Sequence, residues 1–314
     1  MGKFAIKAAA LTLILMVLII ILILSPWLRS EPFHNITKKH AILEKIRGPK
    51  IILVGGSGVA NGLSARIIRD NFPGYAAVNM GLNAGLGLEF NLNEVKEYIQ
   101  AGDLIIMSPE YENFEGGYNG GVQLLKAINI APFVLKYVSS DRLYELLSTE
   151  GLTFVQLKAQ CYFDGFTSLF SNASVEIDDT GDRTSKSASR DVSRIIFSFN
   201  IDKKAYGHCV SIINDFVKLC RVRGATAMLS FPSLPSPQYA SAKKSIEELN
   251  VDLRKDTNIW ILHSPGKVVF DPIYFDDTEY HLGRQGREIR SLMVATLIGS
   301  GMQRQRLRIA AWTK

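Results

Sequence analysis

The sequence predicts an α/β fold, a five-stranded parallel sheet covered by helices on both faces, with one membrane-crossing helix ahead of it. Three observations predict it. Short, almost wholly apolar runs recur at 50–54, 75–79, 103–107, 225–231 and 259–262. Segments with helical spacing of apolar residues alternate with them, at 64–71, 90–100, 206–222, 237–253 and 284–298. A single long apolar run occupies the N-terminus. Strands that are apolar throughout, without alternation, belong to sheets buried on both faces, and helical crossovers between them make such a sheet parallel.

The first element is the apolar run Ala8 to Leu24, AAALTLILMVLIIILIL. It approaches the roughly 20 residues needed to cross a hydrocarbon core about 30 Å thick. Lys3 and Lys7 precede it, and Ser25-Pro26-Trp27 follows where a signal peptidase would need small residues in an Ala-x-Ala-like site. Residues 1–27 therefore read as an uncleaved signal anchor, with Trp27 suited to the interfacial aromatic belt and the main domain outside the cytoplasm. Residues 28–49 are mixed and charged and read as a linker with a helix around 40–47.

From residue 50 the chain reads as one α/β domain to residue 314. Pro73-Gly74 stops the first helix and Gly224 follows the helix of 206–222, as glycine does at a helix C-terminus. Between about 115 and 200 the rhythm breaks. Apolar helical stretches at 122–147 precede the polar tract SNASVEIDDTGDRTSKSASRDVSR, which reads as an exposed loop or mobile excursion. This block is an insertion in the domain.

Composition narrows the function classes. The chain has 314 residues, 47% of them apolar, and a net charge of +6. The lysines and arginines are scattered, so no basic stripe or motif marks a nucleic-acid partner. Cys161, Cys209 and Cys220 have no metal or redox spacing and read as buried small apolar side chains. The glycosylation triplets at Asn35 and Asn172 are common by chance and carry no weight.

Four segments carry the chemistry. The turn after the first strand, Gly55-Gly56-Ser57-Gly58-Val59-Ala60-Asn61-Gly62, lacks the lysine of a phosphate loop, the third glycine of a dinucleotide turn and the second glycine of a nucleophile elbow. It leaves Ser57 at a strand-to-helix turn, at the carboxyl edge of a parallel sheet where α/β folds bind ligands; a helix-capping serine is the other reading. Near the C-terminus stands Asp276-Asp277-Thr278-Glu279-Tyr280-His281. A serine hydroxyl needs a base, and a histidine base needs a carboxylate on its second nitrogen. Asp277, four residues before His281, is the first candidate for that carboxylate, with Asp276 and Glu279 as alternatives. The Gly-rich stretch Asn79-Met80-Gly81-Leu82-Asn83-Ala84-Gly85 could offer amide donors from Gly81 or Gly85, and the Asn83 side chain, to an oxyanion. After the third strand, Ser108-Pro109-Glu110-Tyr111-Glu112-Asn113 adds Asn113 as a donor, with Glu110 and Glu112 as structural or substrate contacts. No histidine or cysteine accompanies these acids at ligand spacing, so no metal is expected.

Together these segments resemble the SGNH (GDSL-like) hydrolase superfamily. Its Gly-Asp-Ser block is similar to Gly55-Gly56-Ser57, with glycine at the acid's place. Its second-block glycine is matched in kind by Gly81 or Gly85, its third-block asparagine by Asn113, and its Asp-x-x-His block by Asp277 and His281 with one more residue between them. The resemblance covers roughly residues 50–114 and 225–298. It implies a three-layer α/β/α, flavodoxin-like fold and ester or acyl-transfer chemistry without a cofactor. The nucleophile would be Ser57, the base His281 and its orienting acid Asp277. An anchor ahead of such a domain is also similar in layout to proteins of alginate O-acetylation and teichoic-acid D-alanylation, which implies an acylated saccharide or other ester as substrate. A catalytically inactive SGNH-fold scaffold or polysaccharide-binding protein is the alternative.

Overall fold

The computed structural model describes residues 2–25, 32–117, 120–167, 176–184 and 190–312. Trp27, the Asn172 triplet, and residues 171–175 and 185–189 of the polar tract lie outside them. The chain divides into two compact units. One comprises residues 1–34 and 120–174, the other 35–119 and 175–314.

The larger unit holds the expected sheet. Strands β1 (Lys50–Gly55), β2 (Ala76–Asn79), β3 (Leu104–Ser108), β4 (Thr226–Leu229) and β6 (Trp260–Ile261) form it in the order β2-β1-β3-β4-β6, every pairing parallel. A separate two-residue parallel pair joins β5 (Leu234–Pro235) to β7 (Val269–Phe270) and was not legible in the sequence. The chain moves outward from β1 to β2, then returns to β3 on β1's other side. The β1/β3 boundary is therefore the topological switch point, and the crevice above it is where doubly wound folds bind ligands.

Alternate residues of each strand feed opposite cores, as a period of two requires. Ile52, Val54, Ile105, Met107 and Leu229 pack against helices α2 (Asn35–Lys45), α5 (Leu88–Lys96), α8 (Lys203–Val222) and α9 (Ser236–Asp256). Ile51, Leu53, Leu104, Ile106 and Met228 pack against α3 (Ser57–Gly62), α4 (Ala65–Asp70) and α10 (Arg284–Trp312). The result is three layers, α/β/α. Gly224 ends α8 with φ 72°, a left-handed conformation open to glycine at no steric cost.

Three sequence expectations need correction. The stretch 28–49 is no plain linker: α2 buries Ile36, Lys39, His40 and Leu43 in the larger unit, and His40 Nε2 meets Glu94 Oε2 at 3.2 Å. The insertion is narrower than 115–200, since 175–200 cluster with the sheet and 120–174 with the N-terminus. The described part of the polar tract, 176–184, is no free excursion. Buried Asp182 accepts hydrogen bonds from Ser64 Oγ (2.7 Å), Ala65 N (2.9 Å) and Asn79 Nδ2 (3.1 Å), because its carboxylate satisfies the otherwise orphaned amides at the start of α4. The three cysteines are buried free thiols, as expected.

The smaller unit contains α1 (Gly2–Leu24), a 3-10 turn at Pro32–His34, α6 (Gly121–Ile130), a 3-10 turn at Pro132–Tyr137 and α7 (Ser140–Thr167). Residues Lys3–Leu24 have a mean hydropathy of 2.9 and none of that window is buried. At 1.5 Å per residue this helix is about 33 Å long, long and apolar enough to cross a membrane.

Candidate active site

The site lies at the carboxyl edge of β1 and β3, where Gly55 pairs with Ser108. Gly56 caps α3, so Ser57 is that helix's first residue and sits half-buried at the switch point. Among the described residues, neither the Ser57 hydroxyl nor its N–H has a hydrogen-bond partner, as expected for the first amide of a helix.

The His281 loop comes to this turn from the far end of the chain. A β-carbon on Gly58 would lie 3.6 Å from Tyr280 Cβ, and one on Gly62 would lie 3.7 Å from Leu282 Cδ1. The residues on either side of His281 thus lie beside α3 at Gly58 and Gly62. His281 Nδ1 is 2.7 Å from Asp277 Oδ1. A carboxylate only accepts, so Nδ1 carries the proton and Nε2 presents its lone pair. Asp276 and Glu279, the alternative acids, are placed otherwise. Asp276 uses its main-chain N–H to bond His281 O at 2.8 Å, pinning the loop.

Glu110 organises the turn from below. Its side chain is 1% exposed, and its Oε1 accepts the Gly58 N–H at 2.8 Å. A β-carbon on Gly56 would come within 2.5 Å of that same oxygen and within 2.4 Å of Ala84 Cα. Glycine stands at 56 because a carboxylate from β3's loop fills the adjoining space. Burial raises the Glu110 pKa, against the amides of Gly58 and Gly56 and the charge of Arg290, which lower it. Arg290 is 0% exposed; it donates to Gly58 O (3.1 Å), Ser108 Oγ (2.8 Å) and Phe231 O (3.0 Å). The Ser57 helix is thus held on its N–H side by Glu110 and on its carbonyl side by Arg290. Sequence reasoning missed Arg290. The available signal was a basic residue in register with the buried Val294 and Ile298 at four-residue steps along α10.

The expected oxyanion donors are corrected in part. Gly81 N donates to Asn79 Oδ1 at 2.9 Å and Gly85 N to Asn83 Oδ1 at 2.8 Å, so both amides are spent inside the loop. The Asn83 side chain caps the 3-10 turn Ala84–Leu86 with that oxygen. Asn113 is buried after β3, where its main-chain carbonyl accepts from Cys209 Sγ. The amides of Asn83 and Ala84 are left without a hydrogen-bond partner among the described residues, and Ala84 packs against Gly56.

Glu112 is a second acid at this edge, half-buried. Tyr280, the neighbour of His281, donates its hydroxyl to Glu112 Oε2 at 2.7 Å. Burial pushes the Glu112 pKa from 4.5 up to about 7. Its folded-state pKa lies above the unfolded one, so the folded chain holds an extra proton in that window, and stability falls as pH rises through it. Glu112→Gln should match wild type near pH 4.5 and exceed it above pH 7 by about 2 kcal/mol, less than the full shift because the side chain is part-exposed. Denaturation curves of both proteins at pH 5 and 8 check this; parallel pH dependence would refute it.

A second serine–histidine pair lies deeper. Ser230 Oγ is 2.9 Å from His263 Nε2, and His263 Nδ1 donates to Ser264 O at 2.9 Å. Burial holds His263 down to about 4, and Ser230 is 0% exposed. This pair is a satisfied polar contact of the core.

No protein-family model matches the chain, and no curated protein matches its sequence. Among solved structures the chain is similar to the crystal structure of protein YxiM from Bacillus subtilis, with a TM-score of 0.38 and 11% identity over 83% of this chain and 57% of that one. The chain spans little more than half the length of that protein. By its own parallel sheet and covering helices the chain is an α/β protein.

Proposed function

We propose that this is a membrane-anchored SGNH-type esterase or O-acyltransferase that acts through Ser57, His281 and Asp277. The observation that carries the reading is the His281–Asp277 pair at 2.7 Å, on a loop that abuts the helix begun by Ser57. His281 Nε2 takes the Ser57 proton as Oγ attacks an acyl carbonyl. The tetrahedral oxygen is met by the Ser57 N–H and the Ala84 N–H. The alcohol leaves with the proton from His281, and the acyl group stays on Ser57 as an ester. Water or a saccharide hydroxyl then attacks that ester, with His281 again as base. Acylated cell-surface or exported polysaccharide is the substrate class, and α1 keeps the chain at the membrane.

A second reading is favoured by one observation. The amides of Gly81 and Gly85 are spent on Asn79 and Asn83, and a loop with so few free amides suits a non-catalytic, saccharide-binding scaffold. A fluorophosphonate probe separates the two readings. The full chain in detergent should be labelled at Ser57, and Ser57→Ala should lose the label. Equal labelling of wild type and Ser57→Ala across pH 6–9 would remove Ser57 as nucleophile. Saccharide binding that survives Ser57→Ala and His281→Ala, with no turnover, would establish the scaffold.

A further inference from the structure

The smaller unit holds the end of its own apolar helix with a buried charge. Lys158 of α7 is fully buried; its Nζ donates to Ile23 O at 2.6 Å, Ser25 O at 2.5 Å and Asn129 Oδ1 at 2.7 Å. Asn129 of α6 donates through Nδ2 to Ile23 O at 2.7 Å. The last carbonyls of a helix have no intrahelical partner, and a cation at that end also meets the negative end of the dipole. Lys158 and Asn129 satisfy these carbonyls, and the carbonyls in turn are what makes a buried ammonium tolerable. The end of α1 is therefore a built-in part of this unit.

The same unit displays apolar side chains. Phe133 and Leu135 of the 3-10 turn are 39% and 41% exposed, and Tyr144, Leu147, Leu152 and Phe163 of α7 are 77%, 56%, 73% and 76% exposed. Leu146, Phe154, Lys158 and Cys161 on α7 are buried. Exposed aromatic and aliphatic side chains on the unit that holds the end of an apolar helix fit the interfacial layer, where amphipathic helices lie with one face in the acyl boundary.

We propose that residues 132–167 form a bilayer-seated collar around the end of α1, with Phe133, Leu135, Leu152 and Phe163 entering the lipid interface. The lipid surface is the occupant because these side chains belong to the same compact unit as α1, whose whole apolar length is unburied and which Lys158 fastens to α7. The proposal rests on α1 crossing a membrane and is independent of catalysis at Ser57.

The test uses the wild-type full chain, one copy per nanodisc of phosphatidylcholine and phosphatidylglycerol, doped with a phospholipid bearing a diazirine in its acyl chain. After photolysis, adducts are mapped by mass spectrometry. Peptides of 132–137 and 140–167 should carry adducts about tenfold above the α9 peptide containing exposed Val251, as an interfacial helix does. Adducts on α1 alone keep the anchor and overturn the collar. No adducts anywhere overturn the anchor and the collar together.

Discussion

Asp277→Asn is expected to lower the rate of Ser57 acylation about 10³- to 10⁴-fold, the scale of losing the orienting acid from a Ser-His-Asp site, with little change in stability. His281 can accept the Ser57 proton only if its own proton sits on Nδ1. Asp277 Oδ1, 2.7 Å away, enforces that tautomer because it can only accept. An asparagine amide in its place can donate to Nδ1 and drive the proton to Nε2, where it blocks the base. The stability cost is small because the Asp277 and His281 side chains are 37% and 16% exposed, and partly exposed pairs of this kind contribute about 1 kcal/mol or less. The measurement is the second-order rate constant for fluorophosphonate labelling, with thermal melting as the control. Asp276→Asn and Glu279→Gln should stay within a few-fold of wild type, since neither acid holds Nδ1. Undiminished labelling of Asp277→Asn would take the acid out of the mechanism.

This contrast shows what the sequence could and could not carry. The five strands of the main sheet were legible because they lie in short apolar runs, and their helical crossovers made them parallel. The Asp277–His281 contact was legible too, because four residues on one short loop suffice to bring an acid to His281. Helix α3 was not. Ser-Gly-Val-Ala-Asn-Gly contains two glycines, each costing a helix about 1 kcal/mol relative to alanine. It is helical because Glu110, 52 residues on, takes the Gly58 N–H, and because Arg290, 232 residues on, takes the Gly58 carbonyl. The oxyanion donors were illegible for a related reason. A glycine-rich loop advertises free amides, but whether Gly81 and Gly85 keep theirs depends on the rotamers of Asn79 and Asn83. Gly56 follows the same logic, since the space beside it is filled by the Glu110 carboxylate from the loop after β3.

Arg290→Met should destabilise the larger unit by about 3–5 kcal/mol, the range for removing one member of a buried charged network. Arg290 is fully buried and its guanidinium holds three groups from different elements: Gly58 O of α3, Ser108 Oγ at the end of β3 and Phe231 O after β4. Methionine fills much of the volume but removes the guanidinium's donors from all three, leaving Phe231 O only the long Ser230 Oγ contact at 3.4 Å, and it strips the neighbouring positive charge from Glu110. Arg290→Lys keeps the charge but cannot reach three acceptors at once, so its loss should be intermediate. Arg290 already sits at a cost, since burial lowers its pKa to about 10 and its Nε finds no partner among the described residues. A double-mutant cycle isolates the electrostatic part. With Glu110→Gln in the background, Arg290→Met no longer strands a buried carboxylate, so the double variant should be more stable than the two single losses predict, by about 1–3 kcal/mol as for contacting charged networks. Chemical denaturation of the four proteins measures it. Strict additivity would mean that Arg290 and Glu110 hold the Ser57 helix separately, and that the two sides of the turn are not one electrostatic unit.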